Sequence, residues 1–170
     1  DFKPDKDLTY LVDNDYAIDF RVKGFTPDAK FDIRFMDTKT SEPGDHPWRM
    51  NYTIDDQVAE WNGTWQYVHI PLKDFYEGGS WDNNTWYNPV GDFDWKAVDR
   101  FEIVSEHIDM SGIEFSFDNI SVTNIIASVN DKMISDYYEN NVVVKPFFFL
   151  IEIRKVMSCG PNTYIHYTRN

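Results

Sequence analysis

Most of this chain alternates apolar and polar residues with a period of two, and that period builds sheets rather than helices. Residues 16–23 and 31–36 alternate, and the stretch 24–30 between them reads as a turn around Pro27. Residues 65–72 alternate as well, with Trp65, Tyr67 and His69 on one face and Gln66, Val68 and Ile70 on the other. Residues 50–54, 100–106 and 113–122 complete the set of predicted strands. Helix signal is thin: Asp94, Trp95, Lys96, Ala97 and Val98 read as a single turn capped by Asp94. Short alternating strands between long polar loops predict an all-β fold, an antiparallel β-sandwich.

All six tryptophans fall between positions 48 and 95: Trp48, Trp61, Trp65, Trp81, Trp86 and Trp95. Several sit among turn formers and amides rather than aliphatic neighbours, as in Gly79-Ser80-Trp81-Asp82-Asn83-Asn84-Thr85-Trp86-Tyr87-Asn88-Pro89. Flat rings on polar loops suit a ligand with apolar faces and polar edges, and a sugar ring is the commonest of these. Trp48, Trp81, Trp86 and Tyr87 lie in the most polar stretches and are the candidate stacking rings. Arg49, next to Trp48, has a planar fork able to bridge two hydroxyls. Asn83 and Asn84 carry amides that both donate and accept. Trp65 and Trp95 are assigned to packing, and Trp61 fits either role.

The net charge of −13 argues against nucleic acid, whose phosphates need a surplus of Lys and Arg, and against an anionic membrane surface. No stretch reaches the ~18–20 apolar residues of a membrane span. The single cysteine, Cys159, excludes an internal disulfide and a multi-cysteine zinc site. A chain starting at Asp1 in mid-pattern reads as a piece or a processed form, so the lack of a leader does not argue against export. Composition breaks near residues 124–131. The first 130 residues carry −14, while the last 40 carry +1 and no tryptophan. The expected organisation is a sandwich over 1–125 and a tail over 126–170, the tail being either extra strands or sequence foreign to the sandwich.

Three runs carry a family resemblance: residues 61–75 with Gly63-Thr64-Trp65, residues 93–103 with Phe93-Asp94-Trp95, and Phe115-Ser116-Phe117-Asp118-Asn119-Ile120. Over roughly residues 8–125 the chain resembles galactose-binding-like jelly-roll carbohydrate-binding modules, which are appended to bacterial glycoside hydrolases of the cellulase and β-glucanase type. The resemblance implies a non-catalytic, secreted or cell-surface module that binds polysaccharide and is covalently linked to a catalytic domain. Modules of this kind often hold a structural Ca²⁺ between an N-terminal loop and the last strand. That implies Asp118 as a ligand, with Asp5 and Asp7 as oxygen-bearing partners.

The rival reading is a small β-sandwich glycoside hydrolase or lyase with its own acidic site. Its strongest pair is Glu102 and Glu106, placed by strand rise about 13 Å apart, beyond either hydrolytic geometry. No nucleophile elbow, phosphate loop or zinc-protease motif is present. The four histidines show no ligand spacing. A second rival is an interaction sandwich whose tryptophans are all core.

Overall fold

A computed structural model describes residues 6–124 and the strand Lys155–Ser158. The alternating segments become β1 (Ala17–Gly24), β2 (Phe31–Asp37), β3 (Arg49–Ile54), β4 (Gln66–Pro71), β8 (Val98–Val104) and β9 (Glu114–Thr123). Shorter strands β5 (Tyr76–Glu77), β6 (Ser80–Asp82) and β7 (Thr85–Tyr87) lie between β4 and β8, and β10 is Lys155–Ser158. One sheet has the order β10-β9-β1-β4 and the other β5-β3-β2-β8, with β6 and β7 forming a separate ribbon. Every pairing is antiparallel. The predicted antiparallel sandwich is the observed fold. The remainder of the tail, and Asp5, lie outside the described residues.

Alternation decides which side chains meet between the sheets. Ile18, Phe20 and Val22 of β1 and Phe31, Ile33 and Phe35 of β2 are all at most 2% exposed. Phe31 crosses from one sheet to the other, with its ring 4.9 Å from Phe115 and 5.4 Å from Phe117. Strict alternation would not keep Phe115, Phe117 and Ile120 on one face, since the last interval is three. A bulge resolves this. The register against β1 jumps between Asp19 and Arg21, and Asn119 takes a positive φ of 54°, which turns Ile120 back to the core.

Trp61 is part of this core at 6% exposure, its indole N–H donating to the Ala29 carbonyl over 2.7 Å. Trp61→Phe leaves that carbonyl buried without a donor and is expected to cost about 2 kcal/mol in urea unfolding at an unchanged m-value. A loss below about 0.5 kcal/mol, the scale of an ordinary surface change, would refute this account. Trp95 packs against Phe35 and Phe93, in line with its predicted role. Residues 94–97 form a turn, not a helix, with Asp94 accepting from the Lys96 amide. One short helix, α1 (Thr9–Asp13), carried no sequence signal, and Asp7 accepts from its Thr9 amide.

Candidate functional site

The outward face of the β5-β3-β2-β8 sheet is built of polar rows fixed by register. Glu102 of β8, Arg34 of β2, Asn51 of β3 and Tyr76 of β5 lie across one row, with Arg100, Met36 and Arg49 on one side of it. Val104, Asp32 and Thr53 lie on the other side. Arg34, facing outward on an alternating strand, reads from sequence as a solvated residue. It is 5% exposed, because the segment after β8 folds back across it. Its guanidinium donates to Glu102 over 2.7 Å and to Glu106 over 2.8 Å.

Those contacts correct the 13 Å separation expected for Glu102 and Glu106. β8 ends at Val104, two residues earlier than predicted, so Glu106 leaves the strand and meets Glu102 at one guanidinium. Burial opposes the Arg34 charge, but Glu102 and Glu106 overcome this and hold its pKa above the ordinary value. Burial also pushes the Glu106 carboxyl upward, yet Arg34 and Arg49 outweigh it and keep Glu106 below the usual carboxylate range. A general acid for glycoside cleavage needs the opposite shift, so Glu106 is not poised as that acid.

A second branch of the network starts at Asp32. It accepts from the Thr53 hydroxyl over 2.7 Å and lies 2.7 Å from His107 Nε2, while Thr53 also contacts the Tyr76 hydroxyl at 3.2 Å. Tyr76 is half exposed and the Glu106 side chain 45% exposed. Solvent also reaches the His107 imidazole, at 30% side-chain exposure.

The β6–β7 ribbon stands at the edge of this face. Asn83 and Asn84 both adopt positive φ, 48° and 60°, the backbone of a tight two-residue hairpin turn in which Asn is favoured. Their residue type is therefore accounted for by the turn, and both side chains are exposed at its tip. Alternation splits the ribbon in two. Ser80, Asp82 and Tyr87 lie on one side and anchor it. Ser80 donates to the Pro47 carbonyl over 2.9 Å, Asp82 accepts from Lys39 and lies 3.0 Å from His46 Nδ1, and Tyr87 stacks on His46 at 3.5 Å. The hydrogen bonds from Lys39 and then His46 hold the Asp82 carboxyl below its usual range.

Trp81 and Trp86 are directly opposed in the ribbon's register, on its other side, at 59% and 46% exposure. Arg49 supports Trp86 from beneath, with its guanidinium carbon 4.8 Å from the ring centroid. The same group donates to the Gly79 carbonyl over 3.1 Å and reaches Glu106 at 3.4 Å. Gly79 has φ +76°, and a Cβ there would lie 2.5 Å from the Tyr87 carbonyl oxygen and 2.8 Å from the Trp86 ring. Only glycine lets the ribbon return this tightly.

Sequence-predicted site residues thus divide. Trp81 and Trp86 are open. Trp48 is corrected: it is 3% exposed, sealed under the ribbon's anchor and edge-on to His46 at 5.5 Å, so its ring offers no face to a ligand. Arg49 is corrected from an open fork to a buried support, 4% exposed and engaged on three sides. Tyr87 is half-buried with one ring face covered by His46. Trp65, expected in the core, is 44% exposed instead. Sequence reasoning missed Arg34, Glu106, His107, Asp32 and Tyr76 as one surface. The only local signal was the charged alternation of β2 and β8.

For calcium, Asp118 lies opposite Arg21 in the β1–β9 register, and the Asp7 carboxylate accepts from the Thr9 amide over 2.9 Å. Among the described residues no three His, Cys, Asp or Glu side chains group to hold a metal ion, and Asp5, the third residue of the implied site, lies outside them.

No curated protein and no solved structure gives a significant match to this chain. The family model for carbohydrate binding domain 30 matches residues 3–124, which takes in both sheets up to the end of β9, the polar face and the tryptophan ribbon. This chain belongs to the carbohydrate binding domain 30 family.

Proposed function

We propose that this chain binds β-linked glucan of plant cell walls by stacking pyranose rings on Trp81 and Trp86, and that it directs an attached glycoside hydrolase to that substrate outside the cell. The observation that carries the reading is the ribbon itself. One side is tied down by Lys39, His46 and Pro47, and the other presents two half-exposed indoles beside a face of carboxylate, imidazole and phenol groups. The charges of that face pair with one another, so it offers hydrogen bonds to hydroxyls more than a net charge to an ion. Membership of a carbohydrate-binding family supports the ligand class. Tethering then acts by raising the effective concentration of the enzyme at its substrate.

Two stacked rings and a few hydrogen bonds correspond to a dissociation constant of about 1–100 μM once immobilisation is subtracted. Trp86→Ala removes a ring and exposes the Arg49 guanidinium, and is expected to weaken binding to soluble β-glucan oligosaccharides about tenfold or more, with Trp81→Ala somewhat less severe. Isothermal calorimetry and affinity gels read both. Silence of the unaltered chain across glucans, mannans, xylans and galactans would remove the reading.

A further inference from the structure

The outward face of the other sheet carries a second aromatic platform, which no part of the site above uses. Phe25 is 63% and Trp65 44% exposed. They come from adjacent strand ends: Phe25 follows β1, Trp65 precedes β4, and Val22 pairs with Gln66. The Lys23 ammonium sits 5.7 Å from the Phe25 centroid and 5.2 Å from that of Trp65, which brings both rings within reach of one disaccharide.

Local structure holds these rings outward. The Gly63 amide donates to the Gly24 carbonyl over 2.9 Å and ties the two loops together. Gly63 has φ +79°, and a Cβ there would fall 2.6 Å from the Phe25 ring, so the ring edge rests against bare backbone. Asn62 Oδ1 accepts from the Thr64 amide over 2.9 Å and from its hydroxyl over 2.6 Å, and Gln66 donates to that hydroxyl over 2.8 Å. Deeper in the same face Asp19 is 1% exposed and engaged by Tyr67, His69 and Thr123, so the sheet beneath is already satisfied. Two rigid rings flanked by amides, hydroxyls and one ammonium repeat the chemistry of the ribbon site, with the exposed Glu60 carboxylate accepting from the Asn62 amide over 3.0 Å.

We infer that Phe25, Trp65 and Lys23 form a second subsite for a neutral pyranose chain, on the opposite sheet from Trp81 and Trp86, so that one module engages two glycan chains. The rings stack on sugar faces, and the Lys23 ammonium donates to hydroxyls between them. The inference rests on the glycan-binding reading, and the test separates the two.

Calorimetric titration of the full chain with cellohexaose is expected to show two sites. Trp65→Ala reduces the stoichiometry to one while the remaining site keeps its affinity, and Trp86→Ala also leaves one, of the other kind. Trp65→Phe restores two sites, which a purely structural role would not predict. A single site in the unaltered chain, untouched by Trp65→Ala and lost in Trp86→Ala, overturns the second subsite and leaves the proposed function standing. No binding by any form overturns both. Two sites persisting in Trp65→Ala, with a dimer converted to a monomer on gel filtration, would assign the platform to a second copy of the chain and overturn the inference.

Discussion

Arg34→Met is expected to cost roughly 3 kcal/mol of stability, seen in a thermal melt as a drop of about 10 °C. Arg34 is 5% exposed and carries two carboxylates from positions 68 and 72 residues away. Its removal leaves Glu102, with a side chain 14% exposed, held by Arg100 alone, and leaves Glu106 with only the longer Arg49 contact. Methionine keeps the packing volume but leaves these charges uncompensated. Lysine does not rescue, because a single ammonium cannot span both carboxylates with the planar fork's geometry. Arg100→Ala is the contrasting case. Its side chain is one-third exposed, so its ion pairs are screened, and the expected loss is below about 1 kcal/mol. Because Glu106 also braces Arg49 beneath Trp86, Arg34→Met should weaken glucan binding as well as stability. A melt unchanged within a degree or two would mean that the charged face is an ordinary solvated surface, and the site built on it would fall.

The sandwich was legible because half-buried strands print their geometry on the sequence at a period of two, and β1, β2, β4 and β9 do so over six or more residues. The ribbon was not. Its strands are three residues each and its turn and return are Gly79, Asn83 and Asn84, which on their own read as loop. Trp48 and Trp86 look alike in sequence, each a ring among polar neighbours. What separates them is tertiary: Trp48 lies where the ribbon's anchoring side lands, and Trp86 points from the side that faces away. Arg34 fails for the same reason, since alternation says outward but cannot say that Glu106 returns from 72 residues later to cover it. Trp65 errs in the other direction. It shares a face with Tyr67 and His69, the outer one, and a strand's outward side exposes a ring unless something crosses it. Period gives the face of a residue; only the connections between strands decide whether that face sees water.

Asp37 gives this fold an unusual dependence on pH. It sits at the end of β2, 4% exposed, with Oδ2 accepting from the Asp94 amide over 2.9 Å and Oδ1 without a hydrogen-bond partner. Burial pushes its carboxyl up to about 7, against the backbone amides of Asp94 and Trp48, and the carboxylates of Asp45 and Asp94 push the same way. In the unfolded chain it titrates near the ordinary 3.8. Between those values the folded protein keeps a proton that the unfolded chain has released. Stability therefore falls as pH rises from about 4 to about 7 and levels off above, by roughly 4 kcal/mol in all. Glu106, Asp45 and Asp82 have lowered values, and their contribution is lost only as pH falls through the acid range. The unaltered chain should thus be most stable near pH 5 and lose stability toward pH 8. Asp37→Asn keeps the acceptor for the Asp94 amide and removes the buried charge. It should flatten the profile over that interval and melt several degrees higher at pH 8, while gaining little at pH 4. A flat profile in the unaltered chain, or an Asn variant that melts lower at pH 8, would show that Asp37 keeps its charge in the fold and that water or a cation reaches it there.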